Sequence, residues 1–378
     1  MRPYADPLTW MSFQLDLARL PSTCWLDLGE LVAGVRALEH TALGLAEGRA
    51  VVRDLTAQAI IARCALDGLA VPPTTIHQLL AGDPKGAGAI PVGMQLEAFV
   101  SASGGHSGSV VLTTPRPIDA PYLATIHARA CGSEAGSSPA SWRSTTPDGK
   151  PWEGVPHEVI IPFVEDLLEW LNSADLAAPT AELDAPYRVI RCVLAELYLA
   201  WIRPFSTGHH RVMALLVEGI LHGASSASTT GQLLSMALYT SGSRYAEELG
   251  AAARTSDPLG FLTFCIRAMV DELRSVQHRI GRLQQHGQWR AQLLDLFQEG
   301  NDAPTRRQRQ VLLDLADANG PVPLSRISTL SPALAALYAG VSEKTLRRDM
   351  DALVQAGLVQ RGPSGLRIDL NTLLVFNR

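Results

Sequence analysis

Apolar residues recur at helical spacing over almost the whole chain, and this pattern predicts a mainly α-helical protein. Helical segments are expected near 24–47, 51–69 and 121–131. Two apolar stripes are especially regular: Val164, Leu167, Leu168 and Leu171 form the first, and Ile190, Leu194, Leu197 and Trp201 form the second. The stretch VMALLVEGILHGA, which begins at Val212, is apolar nearly all round, as expected of a helix buried in the centre of a domain.

The pattern divides the chain into three predicted domains. Residues 1–114 form an N-terminal helical region, and residues 115–295 form a denser helical bundle. Composition then becomes polar around Gly300 and Pro304, which indicates a linker. A third domain is expected at 304–378. The length of 378 residues agrees with several domains, because single hydrophobic cores rarely grow that large.

Two helices and a β-hairpin are predicted in the third domain. One helix covers 305–320, and another runs between Ser342 as N-cap and Gly357 as C-cap. Apolar residues share one face of the second helix, so its outward side chains are basic: Lys344, Arg347 and Arg348. The segment LVQRGPSGLRIDL alternates on either side of a Gly-Pro-Ser-Gly turn, which predicts a hairpin carrying Arg361 and Arg367. Helices followed by a basic hairpin are typical of a winged helix.

The segment VSEKTLRRDMDALVQAGLVQRGPSGLRI resembles the winged helix-turn-helix of DeoR-type bacterial regulators. The resemblance implies that 342–356 is a recognition helix that enters the major groove of duplex DNA, with its basic side chains near phosphates or guanine edges. Regulators that read paired half-sites are usually homodimers, so dimerisation is expected too. The charge distribution agrees with DNA binding. From Thr305 onward, ten Lys/Arg and six Asp/Glu give a net charge of +4, whereas the first 304 residues carry −9. The alternative is a solvated, charged helix in a winged helix that docks proteins.

The stretch WIRPFSTGHHRVMALL, residues 201–216, places a polar loop between two strongly apolar helical segments. A helix that starts after a tight glycine loop directs backbone N–H groups and the positive end of its dipole at one spot. Such a spot favours an anion such as phosphate. Gly208, Arg211 and Arg203 are therefore candidates for an anion- or nucleotide-binding site.

The same loop resembles the signature of the Fic (Fido) family, His-Pro-Phe-x-Asp/Glu-Gly-Asn-Gly-Arg-x-x-Arg, and the resemblance extends over about 115–290. It implies a Fic-type helical bundle and an enzyme that transfers AMP or related phosphate-containing groups from nucleotides to hydroxyls. Four signature residues are retained: Pro204, Phe205, Gly208 and Arg211. Five differ, with Arg203 at the catalytic His, Thr207 at the acid that binds Mg²⁺, His209 and His210 at the Asn and second Gly, and Ala214 at the final Arg.

These five differences argue against standard AMP transfer. A guanidinium group does not deprotonate in proteins, so Arg203 cannot serve as a general base. Thr207 brings no carboxylate for a divalent metal, and no metal site is predicted. His209 and His210 remain candidates for altered chemistry, since a histidine pair can shuttle a proton; the alternative is that they fill an unused pocket. Mg²⁺ and a nucleotide are expected as cofactors only if that chemistry operates.

A second stretch, RCALDGL, resembles the autoinhibitory helix of long Fic proteins, Ser/Thr-x-x-x-Glu-Gly/Asn. Arg63 stands at the Ser position, Asp67 stands at the Glu position, and Gly68 is kept. In the family this Glu pairs with the final Arg of the signature, which is Ala214 here. The resemblance therefore implies an inhibitory remnant that has lost its partner. The alternative is that Asp67 and Gly68 simply end a helix.

The remaining features indicate a cytoplasmic protein. Five scattered cysteines show no metal-ligand spacing, and neither a signal peptide nor a membrane span is evident. The leading hypothesis is a transcriptional regulator of Fic fold that binds duplex DNA and takes a phosphate- or carboxylate-containing ligand, or a protein partner, in an altered pocket. The alternative is a Fic-derived enzyme for nucleotidyl, phosphoryl or acyl transfer that uses Arg203, His209, His210 and Arg211. A structural adaptor that only docks proteins is the third hypothesis.

Overall fold

The structure is a computed structural model, and it describes residues 10–83, 93–103, 118–132, 142–146, 153–221, 227–297, 302–318 and 320–369. These residues form fifteen helices and one two-stranded antiparallel sheet near the C-terminus, so the predicted mainly α fold with a small hairpin is confirmed. Within these ranges, no helix combines the length and the apolar character needed to cross a bilayer. The chain divides into two compact units, which are Met1–Thr41 with Arg49–Gln277 and Ala42–Gly48 with His278–Arg378.

The first unit is built from helices. They are α1 (Ser22–Glu39), α2 (Leu45–Leu66), α3 (Pro73–Leu80), α4 (Gly93–Ala102), α5 (Ala120–Cys131), α6 (Ile160–Leu171), α7 (Asp184–Ile202), α8 (His209–Leu221), α9 (Ala227–Thr240), α10 (Ser243–Thr255) and α11 (Leu259–Leu296). The first residues of α2 and the last part of α11 belong to the second unit. Both predicted apolar stripes are buried, one on α6 and one on α7.

Helix α8 occupies the centre of the first unit. It packs against α5, α7 and α9, and most of its side chains are buried around the whole circumference, as its sequence predicts. Because α7 leads directly into the loop that starts α8, the two most buried helices of the unit hold that loop from both sides.

The first predicted helix is divided between two helices in the structure. The predicted segment 24–47 is not continuous, since α1 ends at Glu39 and α2 begins at Leu45. At the break Thr41 donates its hydroxyl to the carbonyl of Ala37 (2.8 Å), a side-chain bond that competes with continuing the helix.

The second unit follows the predicted order of helices and hairpin. Its elements after α11 are α12 (Ala303–Asp317), α13 (Leu324–Ile327), α14 (Pro332–Leu337), α15 (Glu343–Gln355), β1 (Val359–Gly362) and β2 (Gly365–Ile368). The register pairs Val359 with Ile368 and Gly362 with Gly365, and Val322 adds an isolated bridge to Leu366. One apolar cluster, which includes Trp289, Val311, Leu312, Ile327, Leu334, Met350 and Leu366, joins these elements.

Both ends of α15 behave as its sequence predicts. The Ser342 hydroxyl accepts the N–H of Thr345 (3.3 Å) at the start. At the other end Gly357 has φ +73° and lies one residue beyond the capping position, where the N–H of Leu358 donates to the carbonyl of Leu353 (3.1 Å). A residue with a Cβ would be strained there, and so the glycine ends the helix.

Candidate functional site

The loop between α7 and α8 contains two residues with left-handed backbone. Arg203 has φ 47° and ends α7 by donating its N–H to the carbonyl of Leu199 (2.8 Å). Gly208 has φ +70°, and a Cβ built there would lie 2.4 Å from Sγ of Cys131, so only glycine fits. The backbone of the loop therefore turns sharply at both ends.

A short segment, 142–146, pairs with this loop from outside. Trp142 and Phe205 form an isolated antiparallel bridge, and their rings stack with centroids 5.3 Å apart. His127 stacks on the same Phe205 ring at 4.2 Å. The backbone N–H of Arg143 donates to the carbonyl of Pro204 (2.8 Å). The apolar half of the loop is thus held by a stack of three rings and a backbone pairing.

The Arg143 side chain adds a second connection. Arg143 is only 7% exposed, and its guanidinium donates to the carbonyl oxygens of Arg203 (3.0 Å), Ile202 (3.4 Å), Val155 and Thr145. Carbonyl oxygens at the end of a helix lack partners within the helix, and this arginine satisfies two of them, those of Ile202 and Arg203 at the end of α7. Arg143 therefore positions the backbone of Arg203.

Asp67 occupies the start of α8. Its Oδ1 accepts the backbone N–H of His210 (2.8 Å), while Oδ2 accepts the backbone N–H of Arg211 (3.3 Å) and the Nε–H of Arg211 (2.9 Å). The Asp67 side chain is 5% exposed and the Arg211 side chain is 2% exposed, so both are buried. The anion position that the sequence predicts at this helix start is therefore filled by a carboxylate of the same chain.

The expectation that Asp67 has lost its partner is wrong. The carboxylate pairs with Arg211, about one helical turn before Ala214. The alternative prediction, that Asp67 and Gly68 end a helix, also agrees with the structure. Gly68 has φ +78°, and the N–H of Leu69 donates to the carbonyl of Cys64 (2.8 Å) just beyond α2. Ala214 itself lines a different, smaller cavity of about 20 Å³, together with Glu218.

A buried ion pair that the sequence analysis did not predict lies beneath the loop. Nη1 of Arg63 is 2.7 Å from Oε1 of Glu196, with both side chains fully buried, and Nε of Arg63 donates to the Ser235 hydroxyl (2.9 Å). Burial opposes ionisation of Glu196, but the Arg63 charge and the nearby His210 ring hold the pKa of this carboxyl below its usual range. The sequence signal that could have indicated this ion pair is Glu196, an acidic residue within the apolar run that forms α7.

The two histidines of the loop meet edge to face, with ring centroids 5.1 Å apart. Burial lowers the pKa of His209 to about 3, so this ring is neutral at pH 7. Neither ring nitrogen of His209 has a hydrogen-bond partner among the described residues. Nδ1 of His210 lies 3.7 Å from Oε1 of Glu196. His209 therefore offers hydrogen-bonding nitrogens without a charge.

A cavity of about 290 Å³ opens beside the loop. Several predicted site residues meet there, namely Asp67, Arg203, Gly208, His209 and His210, and the walls also include Glu153, Ser206, Thr207 and Tyr245. Arg211 does not line it, because its guanidinium turns toward Asp67 and the carbonyl of Ala130 (3.0 Å). Over the residues that the structure describes, no group of three or more His, Cys, Asp or Glu side chains is placed to hold a metal ion.

The predicted basic side chains of the second unit are all exposed. They are Lys344, Arg347 and Arg348 on α15 and Arg361 and Arg367 on the hairpin. Arg347 pairs with Glu343 (2.7 Å) and Arg361 pairs with Asp351 (2.7 Å), whereas Arg367 donates to the Gln360 side chain. Within the described ranges, neither Lys344 nor Arg348 makes an ion pair.

The opposite face of α15 is anchored in the second unit. Leu346, Met350 and Leu353 are buried there, as the apolar spacing predicts. A polar contact accompanies them, since Nε of Arg307 on α12 lies 2.7 Å from Oδ2 of Asp349, which also accepts the Tyr338 hydroxyl (3.1 Å). Helix α15 is therefore fixed from behind while its basic side faces solvent.

Comparison with known proteins gives a structural likeness. No protein-family model matches the chain, and no curated protein matches it significantly. Among solved structures it is similar to a Fic family protein from Desulfovibrio desulfuricans G20, with 16% identity and a TM-score of 0.47, covering 91% of this chain and 96% of that chain. At this identity and TM-score, the likeness does not by itself assign a family or an activity.

Proposed function

We propose that the chain is a Fic-type protein that acts as a DNA-binding transcriptional regulator rather than as an AMP transferase. The observation that carries the regulator proposal is the geometry of α15, which is anchored by apolar and ionic contacts on one side and carries Lys344, Arg347 and Arg348 on the other. Together with Arg361 and Arg367 on the hairpin, these side chains suit a phosphate backbone and the adjacent groove.

The residues of the α7–α8 loop support the proposal that the first unit does not transfer AMP. The four retained signature residues and the helix–loop–helix geometry favour the Fic-type assignment, which therefore rests on the loop itself. Arg203 cannot accept a proton at neutral pH, Thr207 supplies no metal-binding carboxylate, and Asp67 already uses the N–H groups at the start of α8. A triphosphate would meet a like-charged carboxylate at that point. The unit is thus proposed to sense a ligand or partner, in a homodimer that reads paired half-sites.

Salt-dependent binding to duplex DNA tests the regulator proposal. We would measure fluorescence anisotropy of a labelled random-sequence duplex with the full chain over a range of salt concentrations. Replacing Arg347 and Arg348 by Ala should weaken binding and lower the slope of log K against log salt by about one per lost phosphate contact. Arg348→Ala alone is measured as well, and Arg306→Ala, at an exposed position of α12, is its matched single-charge control. Duplex binding that is absent at low salt, or unchanged in the double variant, would refute the proposal.

A second candidate function has one observation in its favour. His210 lines the cavity with Nδ1 beside Glu196, the arrangement in which a carboxylate orients a histidine base. A changed transferase would then use His210, since the low pKa of His209 suits a base poorly. Incubation with Mg²⁺ and radiolabelled nucleoside triphosphates tests this candidate. Label transfer that His210→Ala abolishes and His209→Ala retains would favour it over the first proposal.

A further inference from the structure

The cavity beside the loop holds polar atoms that the protein does not satisfy. Tyr245 is 6% exposed and lines the cavity, and its hydroxyl has no hydrogen-bond partner among the described residues. Both ring nitrogens of His209 are likewise without such a partner within the described ranges. A buried polar group left unpaired destabilises the folded protein, and a bound polar group would recover that loss.

Arg203 is the cation that this cavity offers to a ligand. Its backbone is fixed by the Arg143 contact, its side chain is exposed, and it makes no ion pair with any described residue. Arg211, by contrast, is already neutralised by Asp67. A guanidinium group presents two parallel N–H donors, a geometry that matches the two oxygens of a carboxylate.

The other charges of the cavity limit the charge of its ligand. Two acidic residues, Asp67 and Glu153, line the same space as Arg203. Arg203 is the one Arg or Lys among the described lining residues, so a ligand can pair one negative charge there and no second one. The volume of about 290 Å³ is at the small end for ligand pockets, which also favours a compact molecule.

We propose that this cavity binds a small monocarboxylate, held by Arg203 through its carboxylate and by Tyr245 and the histidine pair through a neutral hydrogen-bonding group. The inference rests on the proposed function, in that it names the ligand class of the sensing unit. It differs from a nucleotide site because the start of α8 is filled by Asp67 and is not available to phosphate.

Calorimetry and saturation-transfer NMR on the full chain test this inference with four probes: benzoate, 4-hydroxybenzoate, inorganic phosphate and ATP. We expect 4-hydroxybenzoate to bind more tightly than benzoate, and neither phosphate nor ATP to compete with it. Arg203→Gln should weaken 4-hydroxybenzoate at least tenfold, and Tyr245→Phe should bring its affinity close to that of benzoate. Arg244→Gln, an exposed arginine next to Tyr245 in sequence that does not line the cavity, should leave both affinities unchanged. Thermal unfolding of each variant checks that it is folded.

Two results would overturn the ligand class. One is that neither carboxylate binds the wild-type chain, and the other is that phosphate or ATP competes equally while Arg203→Gln changes nothing. Failure here is distinguishable from failure of the proposed function, because the same preparation is tested for duplex binding. Salt-dependent DNA binding without carboxylate binding refutes only the ligand class, whereas loss of both refutes the regulator as well.

Discussion

The carboxylate of Asp67 lies 2.9 Å from Nε of Arg211. It also accepts the backbone N–H groups of His210 and Arg211, in the first turn of α8. One residue follows the end of α2 and the other lies near the start of α8, so two helix ends are joined by a buried charge pair. The positive end of the α8 dipole adds to the attraction. This contact holds the loop from inside, while Arg143 holds it from outside.

Replacing Asp67 by Ala should destabilise the first unit by about 3–5 kcal/mol, because it leaves the Arg211 charge buried without a partner. Urea unfolding followed by circular dichroism measures the loss. Asp67→Asn keeps an oxygen for the N–H of His210 and should lose less. Asp54→Ala, at an exposed position of α2, is the control for removing an acid from that helix. A wild-type unfolding midpoint for Asp67→Ala would show that this pair contributes nothing.

Gly208 should not tolerate a side chain. Gly208→Ala combines a left-handed φ with contact against Cys131, and we expect a loss of roughly 2–4 kcal/mol. In a Cys131→Ala background the steric part should be relieved, which leaves about 1–2 kcal/mol for the backbone. The four proteins of this cycle are compared by urea unfolding. Additive losses would contradict the contact between residues 131 and 208.

A control exists for this substitution within the same unit. Gly29 lies in α1, where an added Cβ meets nothing within 4 Å. Gly29→Ala should therefore stabilise the protein by about 0.5–1 kcal/mol, the usual gain inside a helix. Opposite signs for the two Gly→Ala changes would separate the strain at Gly208 from the general effect of alanine.

Glu218 should make stability depend on pH. Burial raises its pKa from the usual 4.5 to about 7, so the folded state keeps a proton that the unfolded state loses in between. Its contribution to the free energy of unfolding therefore falls as pH rises from about 4.5 to about 7 and stays low above that. Glu218→Gln removes this term. The stability difference between variant and wild type should shift by about 2–3 kcal/mol in favour of the variant between pH 5 and pH 8. A difference that does not change with pH would show that the carboxyl is not perturbed by burial.

Local signals in the sequence predict the elements well. The apolar stripes on α6 and α7, the Ser342 cap and the Gly-Pro-Ser-Gly hairpin all depend on neighbours within a few residues, and all are found in the structure. The break after Glu39 is the exception, because the apolar spacing continues across it while a side-chain bond of Thr41 ends the helix.

The contacts of the site are harder to predict, because they join residues far apart in the chain. Asp67 and Arg211 are 144 residues apart, and Arg63 and Glu196 are 133 apart. Spacing identifies each side chain as polar in an apolar context, but not which acid meets which base. Resemblance to a family pattern placed the partner of Asp67 at position 214, whereas in the structure its partner is Arg211.

Arg307 and Asp349 hold α15 through a contact that depends on direction. Apolar packing alone allows a helix to rotate slightly about its own axis at little cost, whereas hydrogen bonds weaken steeply when their angles change. The orientation of the exposed side of α15 relative to α12 is therefore fixed. The backbone of this helix is therefore preorganised, and binding a partner there would cost little conformational entropy of that backbone.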